Sequence, residues 1–299
     1  MLMKIFDCFT FFNELDLLEL RLSLLYPHVD FFVLVEANST FTGQPKSYHF
    51  EVSKDRFTKY MDKIIHVKVD DLPKPKSKTN CWNVEWFQRD AIQRGLEGTA
   101  EPGDAIFVSD VDEFVKPESI ALACKSSNWI SFQMDLFFYY FNYKSSHTGL
   151  GPVKAHYGDF KSIQQIRYSV EDNELFKNAG WHFSFMGGED QIIKKLNAYA
   201  ESQTNVPELN NRDIIRYKIK NGMDIFNRDG VIYQLIEIDK FSAEIRAFLD
   251  KYPHYRFNPK DYEHLEIDES LLTKTNYAKR SIWFRLRKKL YKLWLKHSK

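Results

Sequence analysis

Apolar residues come in short unbroken runs in the first third of the chain and in longer, aromatic-rich stretches after it. "KIFDCFTFF" (4–12) predicts a strand. In "NELDLLELRLSLLYP" the leucines 15, 18, 22 and 25 fall at helical spacing, with Asn13 as N-cap, Asp16 three residues on and Pro27 just beyond the end. "DFFVLVEA" (30–37) is apolar almost throughout, as expected of a strand covered on both faces of a parallel sheet. A looser helix over 53–61 leads to a third strand, "KIIHVKV" (63–69). The order β-α-β-α-β predicts a doubly wound α/β sheet.

The polar, proline-bearing stretch 70–80 predicts a surface loop. "CWNVEWFQRDAIQRGL" (81–96) predicts a helix with Trp82, Trp86, Ile92 and Leu96 inside, and "DAIFVSD" (104–110) a fourth strand. The second half is more antiparallel in character. Strands are expected over 128–143, 161–170 and 179–186, and helices over 187–200 and 211–222, the last stopped by Gly222. No internal repeat is evident.

Composition adds that 43% of the 299 residues are hydrophobic, enough for a substantial core. Three scattered cysteines predict reduced thiols in a cytosolic protein. The opening "MLMKIFDCFTFFNELD" does not read as a signal peptide, and no window approaches the roughly 18 apolar residues of a membrane span. Charge changes the picture more. After Glu269 there is no acid but ten Lys and Arg, whereas residues 1–269 hold 32 basic against 41 acidic residues. We therefore divide the chain into one domain, 1–270, and a basic tail, 271–299.

"AIFVSDVDEFVKP" (105–117) places Asp110, Asp112 and Glu113 together at the carboxyl end of a strand, where open α/β sheets bind ligands. Carboxylates so close repel unless something positive lies among them. Asp110 and Asp112 suit a hard cation, Mg²⁺ or Mn²⁺, that completes its shell with substrate phosphates. The competing readings are a solvated acidic loop and a phosphatase of the haloacid dehalogenase type. Phe114 at the fifth position, and three preceding strands, count against the phosphatase.

"FNELDLLELRL" (12–22), "FTGQPK" (41–46), "KIIHVKV" (63–69), "DVDE" (110–113), "GWHFSFMGG" (180–188) and "IIKKL" (192–196) together resemble, in order, glycosyltransferase family 17, the β-1,4-mannosyl-glycoprotein 4-β-N-acetylglucosaminyltransferase family. The resemblance covers about residues 4–235. It implies a GT-A fold, a nucleotide-sugar donor and inversion at the anomeric carbon. Glu201 stands where the family has a His.

Such chemistry needs a cation for the leaving diphosphate, with Asp112 as ligand and Asp110 as metal or ribose ligand, and Glu113 beside them or facing the sugar. It needs a base for the acceptor hydroxyl. "GGED" resembles an acidic element of other GT-A enzymes and nominates Asp190 and Glu189, although acids in the first turn of a helix are also stabilised by its dipole. Gln88, Arg89, Glu36, Trp181 and His182 are candidates for holding the donor. Arg89 could equally pair with Glu85 or Asp90, and Trp181 could be core.

If helical, "RSIWFRLRKKLYKLWLKHSK" (280–299) opposes a Lys/Arg face to a Trp/Leu face, the pattern of an interfacial helix on an anionic membrane, with a helix packed on the acidic surface of the body as an alternative. Nucleic acid is not expected as a partner, because the body is acidic and no nucleic-acid motif occurs. The sequence thus predicts an inverting, metal-dependent transferase moving N-acetylglucosamine or a relative from a UDP-sugar to a glycan or lipid-linked glycan, cytoplasmic and peripheral to the inner face of the membrane. A metal-dependent phosphohydrolase and a non-catalytic glycan-binding module are the alternatives.

Overall fold

The computed structural model describes residues 3–76, 81–198, 206–263, 265, 272 and 275; the basic stretch 280–299 and Glu201 lie outside these. Four parallel strands, β1 (Ile5–Phe11), β2 (Phe31–Ala37), β3 (Ile64–Val69) and β4 (Ala105–Asp110), lie in the order β3-β2-β1-β4. Alternate side chains leave opposite faces. Phe9, Phe11, Phe32, Leu34 and Phe107 meet helix α1 (Leu15–Leu25) and helix α9 (Ala243–Lys251) on one side. Phe6, Cys8, Val33, Val35 and Val108 meet Ile92, Leu96, Ile163 and Ile166 on the other. Burial on both faces is why these strands read as unbroken apolar runs.

The remaining strands extend the sheet: β5 (Glu113–Val115), β6 (Ile130–Phe138), β7 (Tyr143–His156), β8 (Glu174–Ser184) and β9 (Tyr233–Leu235). The path continues β4-β7-β6-β8-β5, with β9 on β7. β7 runs antiparallel to β4, β6 and β9, and β5 antiparallel to β8, whereas β6 and β8 are parallel. Gly180 lets β5 close on β8, since a Cβ there would lie 2.1 Å from the Phe114 carbonyl oxygen. A third cluster, around Phe138, Tyr139 and Phe185, joins α7 (Glu189–Ala198) and α8 (Arg212–Lys220) to the sheet.

Several expectations are corrected. Residues 161–170 are not a strand but helix α6 (Ile163–Tyr168) and a 3₁₀ turn; the Ser162 hydroxyl caps Gln165 N–H, and Ile163 and Ile166 bury at helical spacing. The 81–96 helix is two, α3 (Trp82–Asp90) and α4 (Ile92–Leu96). Gly95 seats α4 on the sheet, because a Cβ there would lie 2.5 Å from Val33 Cγ1. The 53–61 helix is a short helix, α2 (His49–Val52), followed by 3₁₀ turns. Asn13 does not cap α1: Glu14 is the N-cap, and its carboxylate accepts the N–H groups of Phe12 and Asn13 at 3.3 and 3.0 Å. Helix α5 (Pro117–Ala123) follows β5. Cys8, Cys81 and Cys124 are free thiols. Among the described residues no helix is long and apolar enough to cross a membrane.

Candidate active site

β4 delivers Asp110 at its last position, and the chain turns through Val111 and Asp112 into β5, which starts at Glu113. One buried side chain holds this turn. Arg21 on α1 is 1% exposed and forks onto Asp7 of β1 at 2.7 and 2.5 Å. Its remaining N–H groups donate to the carbonyls of Asp110 (3.0 Å), Val111 (3.3 Å) and Glu113 (2.7 Å) and to Ser109 Oγ (2.5 Å). An arginine in a run of leucines was the sequence signal for this clamp, and it went unread.

Three acids leave the turn, Asp110 and Glu113 sharing Arg167 and Asp112 turned to Lys195 and His182. Asp110 takes Arg89 at 3.2 Å on one oxygen and Arg167 at 3.3 Å on the other. Burial works to raise its pKa, but the two guanidiniums outweigh it and leave the carboxyl below its usual range. Asp112 meets Lys195 Nζ of α7 at 2.8 Å and His182 Nε2 of β8 at 3.5 Å. These cations likewise overcome burial and hold Asp112 far below the carboxylate range. Glu113 is buried, forked by Arg167 at 2.9 and 3.2 Å, and accepts the Asp110 N–H at 2.9 Å. A Cβ at Gly151 would come within 2.7 Å of Glu113 Oε1, so glycine makes room for that carboxylate. The positive groups among the acids are therefore side chains of α3, α6, α7 and β8.

Above the turn opens a cavity of about 350 Å³, a size typical of small-ligand sites. It lies over the carboxyl ends of β1 and β4, where the strand order reverses. One side is Thr10, Phe12, Glu14, Ser39, Thr40 and Lys46; another is Asp112, His182, Phe185 and Lys195; the third is Trp82, Glu85, Trp86, Arg89, Arg167 and Tyr168. Gln88 also lines it, its amide donating to the Val35 carbonyl at 3.2 Å. Arg89 is nearly buried, bonded to Glu85 at 2.6 Å and Gln164 at 2.9 Å, and its Nε–H has no partner. Glu85's pKa is raised, mainly by burial, with Arg89 pulling against it.

Four nominated residues point elsewhere. Glu36 is fully buried; it accepts the N–H groups of His49 and Phe50 and meets Lys46 and His66, each at 3.3 Å, so it caps the segment after β2 rather than facing a ligand. Trp181 leaves β8 on the face opposite His182, pairs with Phe114 and lies under the Lys116 ammonium at 5.2 Å. Asp190 is largely exposed and paired with Arg212, and Glu189 pairs with Arg216 at 3.1 Å; both turn to α8 rather than the cavity. Trp82 and Trp86, expected inside, are half-buried cavity walls. Sequence reasoning missed Arg21, Arg167, Lys195, Glu14 and Glu85. Lys195 lies in "IIKKL", and Arg167 sits in the segment misread as a strand.

Among the described residues no three His, Cys, Asp or Glu side chains converge as a ready metal cage. The donors still suit a Mg²⁺- or Mn²⁺-like ion, which needs only one or two carboxylates when a diphosphate completes its shell. Asp110 and Asp112 are the carboxylates that could hold such an ion, and each is neutralised by side chains.

Comparison with known proteins adds a family. The model of glycosyltransferase family 17 matches residues 1–251. The chain is 25% identical over 218 residues to the rat and human proteins named β-1,4-mannosyl-glycoprotein 4-β-N-acetylglucosaminyltransferase, an alignment covering 62% of this chain and 40% and 41% of those proteins. The mouse protein of that name is 24% identical over the same length. The chain thus spans about two fifths of the length of the relatives it matches.

Proposed function

The chain belongs to glycosyltransferase family 17, and from that membership we propose that it transfers a sugar, N-acetylglucosamine or a close relative, from a UDP-sugar to a glycan or lipid-linked glycan, with inversion, on a GT-A type fold. The observation that carries the reading is the cavity over the β1/β4 reversal, where Arg89, Arg167, His182 and Lys195 surround the acid turn.

In this reading the donor's diphosphate lies among those cations. The partnerless buried Nε–H of Arg89 supports it, because a buried donor without an acceptor is costly and a phosphate oxygen would satisfy it. Asp110 and Asp112 would hold a divalent ion, which when bound supplies further neutralisation of the charge gained by the leaving diphosphate. Lys195 would then move from Asp112 to a phosphate oxygen. The cavity walls, rather than the Asp190 region, offer the base. Asp110 and Asp112 each meet two cationic side chains, and Glu14 holds two backbone N–H groups. Glu85 meets one, Arg89 on Oε1, and burial still moves its pKa upward, toward that of a useful base near neutral pH. Glu85→Gln should lower kcat by about 10²–10⁴-fold with little change in donor KM. Loss of donor binding in that variant would remove Glu85 from the role.

The test of the whole is a melting panel of nucleotide-sugars with and without Mn²⁺, followed by detection of the transferred sugar; a ligand that binds the native state raises Tm. Stabilisation by UDP-sugars with transfer supports the reading. Release of inorganic phosphate without transfer would mark a phosphohydrolase. Glycan binding without nucleotide binding would mark a lectin-like module.

A further inference from the structure

The third side of the cavity is lined by two tryptophans and a tyrosine. Trp82 and Trp86 stand one turn apart on α3, both half-buried and both on the cavity wall. Val84, Gln88 and Arg89 are the buried residues of α3, and Phe87 packs against the β-sheet cluster. The Trp86 ring meets Tyr168 of α6 edge-on, centroids 5.8 Å apart at 74°, so the wall has two ring surfaces at nearly a right angle. Between and beside the rings lie Glu85 and Arg89, already paired with each other at 2.6 Å.

We infer that this wall is the seat of the acceptor, and that the acceptor is a neutral oligosaccharide of at least two rings. The inference rests on the transferase reading above. A hexopyranose presents an apolar face of C–H groups and a rim of hydroxyls. Indole faces bury the first, and their negative quadrupole attracts the C–H edges. Carboxylate, guanidinium and amide groups serve the second. Trp82 and Trp86 lie about 6 Å apart along the helix axis, a spacing comparable to the repeat of sugar rings in a chain. Glu85 and Arg89 pair with each other, and Arg167 on the same side is paired with Asp110 and Glu113, so the wall offers no unmatched charge with which to select a charged ligand.

Position separates this wall from the nucleotide. The strand order reverses between β1 and β4, and beside that point the segments after β1 and β2 bound a crevice with Thr10, Phe12, Ser39, Thr40 and Lys46. Arg89 reaches Asp110 from the last turn of α3. Trp82 is seven residues back, about 10 Å along the helix axis from that contact. A donor with its diphosphate at the acids and its nucleoside in the β1/β2 crevice leaves α3's first two turns to the other substrate. Glu85 then lies where an acceptor hydroxyl would be deprotonated.

The test compares the full chain with Trp82→Ala, Trp86→Ala and Trp86→Phe. Transfer from the UDP-sugar chosen by the melting panel is measured against two acceptor sets, mannose-containing oligosaccharides and β-linked N-acetylglucosamine oligomers, and UDP affinity is measured by calorimetry. The acceptor KM should rise at least tenfold in each alanine variant and less in Trp86→Phe, which keeps a ring and guards against a variant that merely fails to fold. UDP affinity should change less than twofold. An unchanged acceptor KM overturns the inference. So does a parallel loss of UDP affinity, because the wall would then hold the donor's base. Wild-type protein that no nucleotide-sugar stabilises in the melting panel would sink the transferase reading itself, and this inference with it; wild-type protein that binds a donor but transfers to neither set overturns this inference alone.

Discussion

Arg21→Met tests the clamp under the acid turn. The substitution keeps most of the side-chain volume and removes the guanidinium. It strands the buried Asp7 carboxylate and takes charged donors from three turn carbonyls and Ser109. Breaking a buried ion pair by removing one partner costs about 3–5 kcal/mol, against a typical total stability of about 5–15 kcal/mol. At about 2–4 °C per kcal/mol for a domain of 150–250 residues, the melting temperature should drop by about 6–20 °C. Arg21→Lys should recover only part of this, since an ammonium cannot fork onto Asp7 and reach the carbonyls together. Adding Asp7→Asn to Arg21→Met should cost less than the two changes summed, by about 0.5–3 kcal/mol, because the second removes the charge stranded by the first. Urea and thermal unfolding read the stability, and calorimetric UDP binding reads the turn. A variant that melts within 2 °C of wild type and binds UDP as well would refute the idea that Arg21 holds the acids in place.

Other outcomes follow from particular residues. Asp190→Asn should alter turnover less than about twofold, as expected of an exposed acid turned to α8, where substitutions cost within about 0.5 kcal/mol; a hundredfold loss would make it the base instead of Glu85. Lys218 is buried, and desolvation lowers its pKa to about 8 against a weaker pull from Asp224. Between that value and the unfolded value near 10.5 the unfolded chain binds more protons, so stability should rise with pH, by about 2 kcal/mol from pH 7 to 9.5. Lys218→Met should flatten that rise, and identical pH profiles would refute the shift. Deleting residues 280–299 should release the protein from anionic vesicles while sparing transfer to a soluble acceptor. Salt should weaken the full-length binding without abolishing it, since the Debye length falls to about 3 Å at 1 M but indole burial is unaffected. Vesicle binding that survives the deletion would rule the tail out as the anchor.

Much of the first half was legible from local pattern. β1, β2 and β4 are buried on both faces, and such strands announce themselves as apolar runs, whereas the edge strand β3 is half-buried and carries His66 and Lys68 in its pattern. The acid turn was legible for a related reason: three carboxylates closing one run need positive partners wherever the chain goes. What those partners are was not legible. Arg21 and Asp110 are 89 residues apart, Arg167 and Glu113 54, and Lys195 and Asp112 83. Only the folded sheet with this strand order brings them within 3.0 Å. Helix phase decided the rest. Asp190 and Lys195 sit five residues apart on α7, about 140° round the axis, so one faces α8 and the other the cavity. Strand phase did the same on β8, where Trp181 packs into the core and its neighbour His182 meets Asp112. Sequence spacing states the period of such an element, but its rotation about its own axis is set by whichever partner buries its apolar side.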